Sequence, residues 1–108
     1  MRMTLKAIKD NKGATLDNHG RAVTYKTGFQ VSRKDLFVCR VNALRMRDIE
    51  AILADMPSTS NLGIWIDGGR AYVDISERIA SRAHALKIGR ERKQLSVWAW
   101  AKNKAVAC

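Results

Sequence analysis

Residues 62–76 read LGIWIDGGRAYVDIS, and the register of this stretch decides the fold. Gly68-Gly69 stands between two alternating runs, the pattern of a two-residue hairpin turn of type I′ or II′. Both glycines can take φ above zero without a Cβ penalty. Closing the turn there sets Asp67 against Arg70, Ile66 against Ala71, Trp65 against Tyr72, Ile64 against Val73 and Leu62 against Ile75. Leu62, Ile64, Ile66, Ala71, Val73 and Ile75 then share one face, which is core. The other face carries Trp65 beside Tyr72, with Asp67 against Arg70 as a cross-strand ion pair. A slip of one residue would mix the faces, so the register is strongly specified.

On the C-terminal side, Ser76 reads as the N-cap of a helix whose stripe is Ile79, Ala83 and Leu86. Gly89 reads as the residue that ends it. Leu95 to Trp100 alternates as a final strand, with Leu95, Val97 and Ala99 inward and Ser96, Trp98 and Trp100 outward. On the N-terminal side, Pro57 and the polar run to Asn61 close a helix over Ala43 to Met56, capped by Asn42. Its stripe is Ile49, Ile52, Leu53 and Met56. Before it, Phe29–Ser32 and Leu36–Val41 read as a hairpin around a polar break at Arg33-Lys34-Asp35, and Arg21–Lys26 alternates weakly.

The expected order is β-β-α-β-β-α-β. That is an α+β two-layer sandwich, with a mostly antiparallel sheet and two helices on one face. Residues 1–20 are expected to form a poorly ordered arm, 21–101 a single domain and 102–108 a frayed tail. Leu5 and Ile8 are enough to anchor one helical turn in the arm, and Ala14 to Leu16 a short edge strand before the Asp17–Gly20 turn.

The chain of 108 residues is long enough for one core without disulfides. Two cysteines, Cys39 and Cys108, do not make a secreted framework, so a reducing cytoplasm is expected. The first residues, MRMTLKAIKDNKG, have no apolar core of a signal peptide, and no run approaches membrane-spanning length. The formal net charge is +10, which favours polyanionic partners, whether nucleic acid, an acidic protein surface or an anionic membrane; the plainer reading of the same charge is solubility.

The runs Gly28-Phe29-Gln30-Val31-Ser32, Leu62-Gly63-Ile64-Trp65-Ile66-Asp67, Tyr72-Val73-Asp74-Ile75-Ser76 and Gly89-Arg90-Glu91 with Gln94 resemble those of small proteins encoded on phages and integrative elements. The resemblance covers roughly residues 28–98. It implies a mobile-element accessory protein and carries no catalytic residues. This chain is more basic than that group.

Two constellations point to contact surfaces. Trp65, Tyr72, Trp98 and Trp100 fall on the sheet face away from the helices, where rings could stack bases or bury in a partner or a second copy. Arg78, Arg82, Lys87, Arg90, Arg92 and Lys93 form a basic run leading into the last strand, suited to phosphates. Arg33, Lys34, Arg40, Arg45 and Arg47 form a third, weaker group. For catalysis the signal is poor: His19 and His84 lack partners at nucleophile or metal spacing, and no phosphate loop or metal motif occurs. The expectation is a protein without enzymatic activity, cofactor or metal that binds nucleic acid or a nucleoprotein complex. A protein-binding inhibitor of a host defence system, of the anti-CRISPR kind, is the alternative, and a small enzyme the third.

Overall fold

Trp65 faces Tyr72, Ile64 faces Val73 and Asp67 faces Arg70, the full register set by the Gly68-Gly69 turn. Both glycines have positive φ, 56° and 76°, as a type I′ turn requires. Around this hairpin the computed structural model describes residues 2–108. In chain order they form α1 (Leu5–Asp10), β1 (Gly13–Leu16), β2 (Phe29–Arg40), a 3-10 turn (Val41–Ala43), α2 (Met46–Asp55), β3 (Asn61–Asp67), β4 (Arg70–Ile79), α3 (Arg82–Glu91), β5 (Ser96–Ala99) and β6 (Lys104–Ala107).

The class is α+β, with one curled, antiparallel six-stranded sheet in the order β1-β3-β4-β2-β5-β6. Two apolar clusters form the core. Ile8, Leu16, Leu44, Ile49, Leu53 and Met56 pack with Leu62, Ile64, Ala71 and Val73. Ala85 of α3 packs with Val31 and Val97, flanked by Phe29 and Ile79. Ala71, Val73, Ile75 and Ile79 of β4 serve both clusters in turn, so alternation along this one strand separates core from open face.

Several expectations are corrected. Within the expected arm, residues 1–20, the helical turn of Leu5 and Ile8 and the edge strand at Ala14–Leu16 are present as α1 and β1, but they are packed into the fold rather than poorly ordered. The Thr4 hydroxyl caps α1 by accepting from the Ala7 N–H, Ile8 and Leu16 are fully buried, and β1 adds to the edge of β3. The sparse apolar residues of this segment suffice because β3 offers an unpaired edge. Arg33-Lys34-Asp35 is not a loop: β2 is a single strand of 12 residues. Register shifts between Ser32 and Lys34 and between Asp35 and Phe37 absorb the polar run as bulges.

The first helix begins later than Asn42 predicts. The 3-10 turn carries Leu44 into the core, and α2 starts after Arg45 with no side-chain cap. The second helix also begins later. Ser76 stays in β4, where its hydroxyl accepts from Gln30, and Ser81 caps α3 by accepting from the His84 N–H. Gly89 lies inside α3, and a Cβ there would come within 2.6 Å of the Cys108 sulfur. The helix ends instead at Lys93, whose φ is 59°. The Gln94 N–H reaches the Gly89 carbonyl and the Lys93 N–H the Arg90 carbonyl, a Schellman closure built on a non-glycine residue. In the last strand Val97 and Ala99 are buried, but Leu95 is 91% exposed. The expected frayed tail, 102–108, contains β6, which pairs with β5. Three helices, not two, accompany the sheet among the described residues. No helix among the described residues is long and apolar enough to cross a membrane.

Candidate functional site

The sheet positions that alternate away from the core contribute to a trough of about 770 Å³. The pairings order these positions into rows that run across the strands. Arg70 of β4 stands opposite Arg40 of β2 and, on its other side, opposite Asp67 of β3. The next row is Gly13, Trp65, Tyr72 and Val38. The one after it is Thr15, Gly63, Asp74 and Asp35, and then come Asn61, Ser76 and Ser32. Successive rows are two residues apart along β3 and β4, about 7 Å, while the two bulges of β2 stretch the step there to three residues between Ser32 and Asp35 and between Asp35 and Val38.

The aromatic row is open. Trp65 is 61% exposed, Tyr72 42% and Val38 52%, an apolar band crossing three strands. At the far side of the trough Trp98 and Trp100 are half-buried and stack edge to face at 6.5 Å. Trp100 is an anchor: its Nε1 donates to Gln30 Oε1 at 3.1 Å and its ring meets Tyr25 at 5.5 Å. Gln30 Nε2 in turn donates to Asn61 Oδ1 and Ser76 Oγ. This buried amide network ties β2, β3 and β4 to the segment after β5, and it satisfies polar groups that burial would otherwise penalise.

Asp74 sits mid-face. Burial pushes its carboxyl pKa above the ordinary 3.8, the Ser32 hydroxyl draws it back, and the Asp35 charge raises it further. The single Ser32 hydroxyl hydrogen is shared between the two carboxyls, with Asp35 Oδ1 3.4 Å from the hydroxyl oxygen. Gly63 makes the arrangement possible, since a Cβ at this position would collide with Asp74 Oδ1.

The basic run is divided. The Arg78 guanidinium donates to the Thr27 carbonyl and hydroxyl and lies 5.4 Å from the Tyr25 ring centroid. Arg92 donates to the Ser32 carbonyl and pairs with Glu77 at 2.7 Å. Both guanidiniums hold the fold together. Arg82, Lys87, Arg90 and Lys93 are exposed, but α3 packs on the side of Val31 and Val97, from which Trp98 alternates away. The structure therefore brings Trp65, Tyr72, Trp98 and Trp100 to one trough and leaves the α3 cations behind it.

Sequence reasoning gave Arg40 little weight, did not single out Arg70 for binding and missed Asp35. Arg40 and Arg70 line a smaller hollow of about 280 Å³ with Asn42, Gly68 and Gly69. Among the described residues the ion pairs are Arg2–Glu50, Lys6–Asp10, Arg33–Glu77 and Arg92–Glu77, so Asp67 and Arg70 form none. Arg70 was placed by the hairpin register, but its facing Arg40 depends on a pairing between distant segments. Comparison with protein-family models, with curated proteins and with solved structures yields no match.

Proposed function

We propose that this chain is a non-enzymatic accessory protein that binds single-stranded nucleic acid, alone or within a nucleoprotein complex, on the helix-free face of its sheet. The observation that carries the reading is the succession of the Arg40–Arg70 row and the Trp65–Tyr72 row on that face. Like charges placed directly opposite each other weaken a sheet. Two facing arginines with no carboxylate in ion-pair reach suit an anion, and the neighbouring rings offer π-faces to the attached base. The remaining cations, on α3 and at the strand edges, supply the long-range attraction of a +10 chain. Origin on a phage or integrative element, and work in the bacterial cytoplasm, belong to the same proposal and rest on the motif resemblance.

Binding of a labelled single-stranded oligonucleotide, followed by anisotropy across a salt series, tests this. Affinity should fall steeply with salt, and Arg40→Gln and Arg70→Gln should each reduce the slope by about 0.7. Trp65→Ala should cost about 1–3 kcal/mol of binding. No binding at low salt would remove the reading.

The apolar band Trp65–Tyr72–Val38 favours a second reading, a protein-binding inhibitor of a host defence system. A specific host partner retained after nuclease treatment, and lost with Trp65→Ala, would select it.

A further inference from the structure

Stacking and phosphate contact explain the arginine and aromatic rows, but neither needs the carboxylates beyond them. Asp74 and Asp35 face each other in the next row, and both line the trough. Gly63 and Thr15 extend this row with little side-chain bulk, so the Asp74 carboxylate lies against backbone rather than behind a neighbour. An ionised carboxylate accepts hydrogen bonds and donates none. Phosphate is repelled there, so a strand on this face must keep its backbone toward Arg40 and Arg70. Its base edges then point to the carboxylates, about one row, or roughly 7 Å, past the rings on which the bases stack.

The Watson–Crick edges differ in how they meet such an acceptor. Guanine presents two adjacent donors, N1–H and the 2-amino group, and can give both to one carboxylate. Adenine and cytosine place an acceptor beside their amino donor. Thymine and uracil place one donor between two acceptors. Unstacked single-stranded bases are read on these edges.

We propose that the Asp35–Asp74 row makes the trough selective for guanine, one carboxylate accepting N1–H and the 2-amino group while the base stacks on the Trp65–Tyr72 row. The inference rests on the nucleic-acid reading of the same face. Ser32, whose hydroxyl donates to Asp35 and adjoins Asp74, holds the pair in place. Arg40 and Arg70, in their own hollow on the other side of the aromatic row from the carboxylates, set the direction in which the strand lies, because phosphate is tolerated on that side alone.

The test uses the intact protein and a short thymidine oligonucleotide carrying one central guanine, with inosine, adenine or cytosine in its place for comparison. Inosine keeps N1–H and lacks only the 2-amino group. Guanine should bind about tenfold or more tightly than inosine, the discrimination of a bidentate contact. At least one of Asp74→Asn and Asp35→Asn should erase that difference between guanine and inosine, read as the ratio of the two affinities for each variant. Two variants at separate strands guard against one that fails to fold, and the inosine comparison needs no variant. Equal binding of guanine and inosine, with the thymidine strand still bound, would overturn guanine selectivity and leave the nucleic-acid reading standing. No binding of any oligonucleotide would overturn both. Displacement of the guanine strand by an arginine-rich peptide at lower concentration would overturn the proposal in favour of a protein's guanidinium group.

Discussion

Asp74 on β4 stands directly opposite Asp35 on β2; along β4 it lies two residues from Tyr72, which faces Val38, and four from Arg70, which faces Arg40, while the bulge after Asp35 makes the same steps three and five residues on β2. One strand pairing thus carries two like-charged contacts of opposite sign, separated by an apolar step. Each is unfavourable in a bare sheet. Exchanging one residue of each would have given two ordinary cross-strand ion pairs. The segregation of charge into an acidic and a basic row is therefore a property of the open face, and the core gains nothing from it.

The acidic row has a pH signature. The folded-state pKa of Asp74 is raised above 3.8, chiefly by burial, so the ionised carboxylate is costlier in the folded than in the unfolded chain. The stability associated with this group is fully present below the unfolded value and lost as pH rises through the raised one. Asp74→Asn should therefore raise the melting temperature at pH 7 and leave it nearly unchanged near pH 3. Thermal melts across that range check this, and a lower melting temperature at pH 7 would contradict it.

Gly63 and Asp74 should be energetically coupled. Gly63→Ala places a Cβ on the Asp74 carboxylate and should destabilise by about 1–3 kcal/mol, the range for overpacking. Shortening the side chain with Asp74→Ser should relieve most of that cost. A double-mutant cycle in urea measures the coupling, and strict additivity would show that the carboxylate simply swings clear.

Lys93 occupies the left-handed position that closes α3. Glycine takes this conformation without the Cβ clash that costs roughly 1 kcal/mol. Lys93→Gly should stabilise the fold by about that amount, read as a shift of the denaturation midpoint at constant slope.

The tryptophans should separate by exposure. Iodide should quench Trp65 freely and Trp98 and Trp100 weakly. Trp65→Ala should leave the melt almost unchanged. Trp100→Ala removes a ring packed on Tyr25 and Trp98 and strands the Gln30 carbonyl oxygen, and should cost about 3–5 kcal/mol.

What was legible in the chain was local. The β3–β4 register followed from two glycines and a period of two, and with it the pairing of Trp65 with Tyr72. Trp100 borders the C-terminal segment, and nothing local in the sequence distinguishes it from Trp98. Its hydrogen bond to Gln30, 70 residues away, makes it an anchor. The bulges in β2 hid a strand, since Arg33-Lys34-Asp35 has the composition of a turn and only pairing with β4 keeps it extended. Ser76 and Ser81 are equally good helix caps by type; the choice between them was made by Gln30, which holds Ser76 in the sheet. Asp35 could not be placed beside Asp74, nor Arg40 beside Arg70, without that same distant pairing.

The central position of β2 also bears on how the chain reaches this state. Its neighbours, β4 and β5, both come later in the chain, whereas β3 and β4 are joined by two residues. The hairpin can close in microseconds, but β2 must wait for loops of some 30 and 60 residues to be drawn shut. Docking of this strand is then the slow step, and substitutions in the Gln30 network should act on the folding rate more than those at the hairpin tip. Until β2 arrives, the inner edge of β4 is left unpaired, and at high concentration it is there that two unfinished chains would find each other.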